Sequence, residues 1–136
     1  EVDEAKLSYI LRDFDLDGLN QRKAKIEEIT KTLQQKYGED RIIVEIKDSY
    51  YNMKEKIEPV MYIIDLAKKA MKDADIEPKI VPIRGGTDGA RISYMGIPTP
   101  NLFTGGYNFH GYYEYAVAEE MEKAKEVIIN IVKNNK

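Results

Sequence analysis

Glycine is concentrated in one stretch of this 136-residue chain, between Arg84 and Gly111, and this stretch limits what the chain can fold into. Most of the nine glycines of the sequence lie there, at a density that no core strand or helix requires. They surround Arg84, Asp88 and His110, which is the only histidine of the chain. Glycines beside polar groups let the backbone adopt a positive φ or approach a ligand closely. We therefore expect a functional site built from loops in this stretch.

The composition is that of an ordinary soluble globular protein and argues against several classes of function. Hydrophobic residues make up 43% and charged residues 33% of the sequence. The net charge of -3, with both signs interspersed, argues against nucleic acid or an anionic membrane as the main partner. Without cysteine there is no disulfide framework and no thiolate metal site. No apolar run approaches the roughly 18 residues that would span a bilayer, and no signal-peptide pattern is present, so we expect a cytoplasmic protein.

The first 48 residues predict a strand, a helix and a second strand. The elements are, in order, a strand over 7–12, a helix capped by Asp15 or Asp17 that continues to about Tyr37, and a strand over 41–47. Gly38 is a suitable residue to end the helix, because glycine adopts the left-handed conformation common after a helix C-terminus.

Residues 49–136 predict helices alternating with short strands, so the chain as a whole is expected to be α/β. The elements are, in order, a helix over 57–71 with Pro59 in its first turn, a strand over 79–83, a helix or turn over 88–94, a short strand over 101–103, and a helix over 117–131. The chain has no initiator methionine, which suggests a piece of a longer protein.

His110 is the first candidate for a functional role. A lone histidine is more often structural or simply exposed. Here it lies among glycines and aromatic residues after a predicted strand, where α/β proteins commonly place functional groups. His110 could act as a base, as a donor to an anion or as a metal ligand. It cannot form a zinc site alone, because zinc takes three or four protein ligands.

The loop from Arg84 to Gly89 is the second candidate. Gly85 and Gly86 could turn successive backbone N–H groups toward one anion, and Arg84 could add a bidentate contact to a carboxylate or phosphate. An equally plausible interpretation is a tight turn in which Asp88 caps the next helix. The loop lacks the lysine of a phosphate-binding P-loop and the spacing of a dinucleotide fingerprint.

Asn52 is the third candidate, in a polar and aromatic segment that precedes a predicted helix. An amide in such a place can donate a hydrogen bond to a substrate carbonyl or a developing oxyanion. A turn that merely starts the helix is the favoured alternative for this segment.

Five segments, in this order and spacing, closely resemble the tripeptide aminopeptidases of the M20 family of dizinc metallopeptidases. They are YILRDFD at 9–15, DSYYNMKEK at 48–56, IRGGTDGA at 83–90, MGIPTPNLFTGG at 95–106 and NFHG at 108–111. Thr99 departs from the pattern, since a cysteine is often found at this place in the family. The resemblance covers essentially the whole chain.

The resemblance implies an enzyme of about three times this length, with two domains. Residues 1–48 would be the second half of a smaller α+β lid domain, and residues 49–136 the C-terminal part of a zinc-peptidase α/β catalytic domain. The whole enzyme would release the N-terminal residue of a tripeptide by attack of a metal-activated water.

The resemblance also implies roles for individual residues. His110 matches the last ligand of a site that holds two Zn²⁺ ions, and Asn52 matches an asparagine near the scissile carbonyl. The segment expected to hold the peptide, including its carboxylate end, comprises Arg84, Gly85, Gly86, Thr87 and Asp88. The other zinc ligands and the glutamate general base of the family lie upstream. No catalytic residue is therefore expected in this chain, and we expect it to be inactive alone.

Two other classes of function stay open at this point. The glycine loop could bind an acidic ligand in a non-enzymatic module, with His110 in a structural role. Alternatively, the strand–helix–strand half could mediate homodimerisation through an exposed sheet edge.

Overall fold

A computed structural model describes residues 3–83 and 85–135. It shows a mixed fold of helices with one small two-stranded sheet. The elements are α1 (Leu16–Tyr37), α2 (Lys54–Ile57), a 3₁₀ turn (Glu58–Val60), α3 (Tyr62–Lys72), α4 (Asp88–Tyr94), β1 (Gly106–Tyr107), β2 (Tyr115–Ala116) and α5 (Ala118–Asn134). Within the described ranges, no helix is long and apolar enough to cross a bilayer.

The chain divides into two compact units, Glu1–Asn52 (unit 1) and Met53–Lys136 (unit 2). The assignment of residues 1–48 to a lid domain and of 49–136 to a catalytic domain stays a prediction.

Helix α1 of unit 1 confirms the helix predicted from the sequence, including both ends. Asp15 is the N-cap, and its side chain accepts a hydrogen bond from the Asp17 backbone N–H. Gly38 ends the helix with a φ of 107° and donates its N–H to the Gln34 carbonyl at 2.8 Å. Ahead of the cap, the Asp13 carboxylate accepts a hydrogen bond from Arg22 Nε at 2.8 Å, which fixes the chain to the first turns of α1.

The two strands predicted to flank α1 are wrong, because residues 7–12 and 41–47 have irregular backbone. Most of their apolar side chains are exposed, for example Ile10 at 75% and Ile43 at 85%. A strand is stabilised by a hydrogen-bonded partner and a buried face, and β-rich sequence alone supplies neither. The described part of unit 1 offers these segments no partner strand.

Unit 2 is built around the packing of α3 against α5. Ala70, Ala74 and Val127 are almost completely buried between them. The two alanines let α5 approach closely, so that Lys123 Nζ reaches the Ala74 carbonyl just after α3, at 3.0 Å. This contact gives a hydrogen-bond partner to a buried residue's backbone carbonyl in the turn that follows α3. Phe103 packs against the same cluster and brings the chain ahead of β1 to α5.

The helix predicted over 57–71 is divided by a 3₁₀ turn at Glu58–Val60. The helical segment starts earlier than expected, at Lys54, so Pro59 falls in its interior instead of its first turn. Proline has no N–H and its ring clashes with the preceding turn, which breaks the α-helical hydrogen-bond ladder. The result is a short α2, a tightened turn and the longer α3.

The strands predicted over 79–83 and 101–103 are also wrong, since both segments are irregular among the residues described. Ile80 and Val81 are 68% and 62% exposed, and Pro82 cannot donate to a ladder. The helices predicted over 88–94 and 117–131 are confirmed by α4 and α5.

Candidate functional site

His110 lies in the connection of a β-hairpin that the sequence did not predict. Strands β1 and β2 are antiparallel, with Gly106 opposite Ala116 and Tyr107 opposite Tyr115. The two tyrosine rings stack at a centroid distance of 5.2 Å. Aromatic cross-strand pairs of this kind stabilise a short hairpin. The signal in the sequence was the pair of tyrosines on either side of a turn-forming segment.

The hairpin is fixed to the start of α5. The Gly105 carbonyl accepts a hydrogen bond from the Val117 N–H at 2.9 Å. Gly105 has a φ of +79°, and a Cβ there would lie 2.9 Å from the Met121 nitrogen, so both conformation and space require glycine. Tyr107 donates its hydroxyl to the Glu120 carboxylate, with distances of 2.7 and 2.8 Å to the two oxygens. The hydrogen bond to Glu120 raises the pKa of Tyr107.

His110 adopts a left-handed backbone conformation with a φ of 65°, and Asn108 does so with a φ of 54°. This region costs a residue with a Cβ about 1–2 kcal/mol, although asparagine tolerates it better than most. Hydrogen bonds across the turn hold both residues. The Gly111 N–H donates to the Asn108 carbonyl at 2.8 Å, and the His110 N–H donates to Glu114 Oε2 at 2.7 Å. Strained residues held in this way are concentrated at functional sites.

The His110 side chain is exposed, and its ring has no hydrogen-bond partner among the residues described. An imidazole in this state can serve as a ligand or as a proton carrier. Within residues 3–83 and 85–135, however, no three His, Cys, Asp or Glu side chains are grouped to hold a metal. These residues therefore do not form a zinc site by themselves, because zinc takes at least three protein ligands.

The glycine loop leads into α4. Arg84 lies outside the described residues. A Cβ built on Gly85 would meet nothing within 4 Å, so packing does not require glycine there. Thr87 is the N-cap of α4 and accepts a hydrogen bond from the Ala90 N–H at 3.2 Å. The proposed cap by Asp88 is wrong, because an N-cap has non-helical φ and ψ angles, and Asp88 is already the first residue of the helix.

The segment around Asn101 packs against the start of α4 and fixes the glycine loop. Asn101 Nδ2 donates to Thr87 Oγ1 at 3.2 Å. The Thr99 N–H donates to Oγ of Ser93, which is 1% exposed, at 2.9 Å. Gly89 faces this segment so closely that a Cβ would lie 2.6 Å from the Thr99 carbonyl oxygen. Sequence reasoning missed Ser93 and Asn101 as supporting residues, since neither contact is visible in a local pattern.

Asn52 belongs to unit 1, where its side-chain amide donates to the Phe14 carbonyl at 3.0 Å. Its neighbour Tyr51 donates its hydroxyl to Asp48 Oδ2 at 2.8 Å, and Lys23 of α1 forms an ion pair with the same carboxylate. The hydrogen bonds from Lys23 and then Tyr51 lower the pKa of Asp48. These contacts hold the Asn52 segment against α1, and the role of Asn52 toward a substrate stays a prediction.

The contacts that hold the candidate residues of unit 2 thus form two clusters. Thr87, Gly89 and Asn101 fix the end of the glycine loop, and Glu114 holds His110 in the hairpin. The first cluster anchors the N-cap of α4, and the second presents one imidazole.

Comparison with known proteins gives close relatives but no matching family model. The chain is 62% identical to peptidase T of Geobacillus kaustophilus over 132 residues, which cover 97% of this chain and 32% of the relative. It is 60% identical to peptidase T of Clostridium perfringens, covering 98% of this chain and 33% of the relative. For peptidase T of Bacillus licheniformis the identity is 59%, with 98% and 32% covered. The chain therefore spans about a third of the length of the curated relatives it matches.

Proposed function

We propose, from the homology of this chain to peptidase T, that it is part of an aminopeptidase that releases the N-terminal residue of tripeptides. The observation that supports this proposal is the 62% identity over 132 residues. The matched residues make up 97% of the chain, so they span the glycine loop, the Asn101 segment and the histidine hairpin almost without interruption. The activity belongs to the whole protein, of which this chain supplies about a third.

His110 is the metal ligand in this proposal. Its exposed imidazole and its left-handed backbone support that role, since the conformation is strained and the ring has no hydrogen-bond partner within residues 3–83 and 85–135. Zinc is the proposed metal, following the resemblance to the M20 family. The remaining ligands and the general base would come from residues outside this chain.

The loop Gly85, Gly86, Thr87 and Asp88 is the proposed substrate-binding segment. The open space at Gly85 and the rigid anchoring of Thr87 by Asn101 suit a loop whose backbone N–H groups hold a peptide. The parts played by Arg84 and Asn52, a cytoplasmic location and a homodimer are further elements of the proposal that rest on the resemblance and on composition.

A segment exchange tests the proposed function. The 132 matched residues of the Geobacillus kaustophilus enzyme are replaced by this chain, and release of the N-terminal residue from a tripeptide is measured with added zinc. We expect kcat/KM of this chimera to lie within about tenfold of the parent enzyme, a difference of about 1.4 kcal/mol in barrier.

The control is the 136-residue chain alone, which should show no turnover above its His110→Ala variant. A chimera that folds, judged by circular dichroism and cooperative unfolding, yet has no tripeptide activity would contradict the proposal.

A further inference from the structure

We infer that Glu114 is a positioning residue for His110, a role that rests on the proposed function. Its carboxylate holds the backbone of His110 in the left-handed conformation and thereby fixes the direction in which the imidazole leaves the hairpin.

The contact is direct and is suited to this task. Glu114 Oε2 accepts the His110 N–H at 2.7 Å, across the turn of the hairpin. The Glu114 backbone is itself part of that turn, because its N–H donates to the Gly111 carbonyl at 3.2 Å. A hydrogen bond to an ionised acceptor is shorter and stronger than one between neutral groups. The side chain therefore ties the histidine to the same turn that carries the glutamate.

A second side-chain contact across the turn does not involve His110. Asn108 Nδ2 donates to the Tyr113 carbonyl at 3.3 Å. Asn108 also has a positive φ, but asparagine tolerates that region. Histidine is also found there more often than most residues, but among the described residues its ring contributes no hydrogen bond to offset the strain. The Gly111 N–H bond to the Asn108 carbonyl closes the turn around His110, and the bond from the His110 N–H to Glu114 is the side-chain contact that holds its backbone.

Glycine would fit a φ of 65° without strain, yet the chain carries a histidine there. A purely structural turn gains nothing from a strained residue with an exposed ring. A site in which one ligand must point in a defined direction needs the backbone of that ligand to be fixed. The Glu114 carboxylate fixes the strained backbone of His110, and the imidazole has no hydrogen-bond partner among the described residues. A shift of about 1 Å in a group that takes part in catalysis can reduce the rate about a hundredfold.

Two substitutions at position 114 separate the hydrogen bond from other effects. Glu114→Leu removes the acceptor at similar size, whereas Glu114→Gln keeps an acceptor oxygen and removes the charge. Glu119→Leu is the matched control, because Glu119 is an exposed glutamate in the first turn of α5, outside the hairpin turn.

The first measurement is hydrogen exchange of the His110 amide in the full 136-residue chain, by NMR. We expect Glu114→Leu to accelerate exchange at His110 at least tenfold relative to neighbouring amides. Glu114→Gln should retain most of the protection, and Glu119→Leu should leave it unchanged. Unchanged exchange in Glu114→Leu would overturn the inference, since the contact would then not hold the backbone.

The second measurement places the same variants in the chimera and follows tripeptide cleavage and zinc bound per polypeptide. Contacts that orient a metal ligand are typically worth about 10–100-fold in affinity or activity. We expect a loss of that size in Glu114→Leu, recovery of most of it in Glu114→Gln, and none in Glu119→Leu. Faster exchange without a change in zinc affinity or kcat/KM would overturn the positioning role while leaving the proposed function intact. An inactive wild-type chimera would instead overturn the proposed function and the positioning role with it.

Discussion

Replacing His110 by alanine or by glycine should reduce kcat/KM of the chimera by at least about a hundredfold, because both changes remove the imidazole that this chain contributes. Each variant is compared with the chimera that carries the unmodified chain, using release of the N-terminal residue from a tripeptide. Activity within a few-fold of the unmodified chimera in either variant would show that His110 has no part in the reaction.

The same two variants should also differ in stability. Here the glycine variant should be the more stable one, whereas alanine is the more stable residue at most positions. With a φ of 65° at position 110, glycine avoids the strain that alanine retains. We expect the glycine variant of the 136-residue chain to be more stable than the alanine variant by about 1 kcal/mol in urea unfolding. Tyr112, exposed in the same turn and not among the positive-φ residues, provides the control pair. There the alanine variant should be at least as stable as the glycine variant. If alanine were the more stable variant at both positions, the strained conformation of His110 would be contradicted.

Gly89→Ala should destabilise the chain by about 1–3 kcal/mol, the range found for overpacking in well-packed sites. Helix propensity alone predicts that the Gly89→Ala variant is more stable, since alanine in a helix is favoured over glycine by about 1 kcal/mol. Gly89 lies in α4, but a Cβ there would lie 2.6 Å from the Thr99 carbonyl oxygen and 2.8 Å from Asn101 Oδ1. The first of these atoms is backbone and cannot move without displacing the segment that anchors Thr87. We therefore expect lower activity of the chimera as well.

Gly85→Ala is the matched control for stability, because a Cβ there would meet nothing within 4 Å. Urea unfolding of the two variants, each compared with the unmodified chain, measures the difference. A Gly89→Ala variant as stable as Gly85→Ala would contradict the close packing of α4 against residues 99–101.

Helices with strong local signals could be predicted from the sequence. Asp15 and Gly38 lie at the two ends of α1 as predicted, because a cap acts within one turn of the residue that provides it. The interior break at Pro59 was missed because the start of that helical segment was placed three residues too late. The local residue pattern also predicts strands over 41–47 and 79–83, where the structure is irregular, since a strand depends on a partner that local sequence does not reveal.

The location of the candidate site stays a prediction that rests on residue types and on the resemblance. His110 and the glycine loop were singled out from residue types, and their resemblance to a peptidase family agrees with the relatives found. The supporting contacts were not predicted. Asn101 reaches Thr87 across fourteen positions, and Glu114 reaches a backbone N–H through a turn whose geometry the sequence does not show. Such contacts depend on the folded backbone, so they appear only with the structure.

We propose that this chain supplies one metal ligand, His110, to a site completed by other parts of a longer enzyme. Zinc binding measures this most directly, by titration of the 136-residue chain and by the zinc content of the chimera and its His110→Ala variant. We expect no micromolar site in the chain alone, zinc content equal to the parent enzyme in the chimera, and reduced content or affinity when His110 is replaced. A micromolar or tighter site in the chain alone, or unchanged zinc binding in the His110→Ala chimera, would contradict the claim.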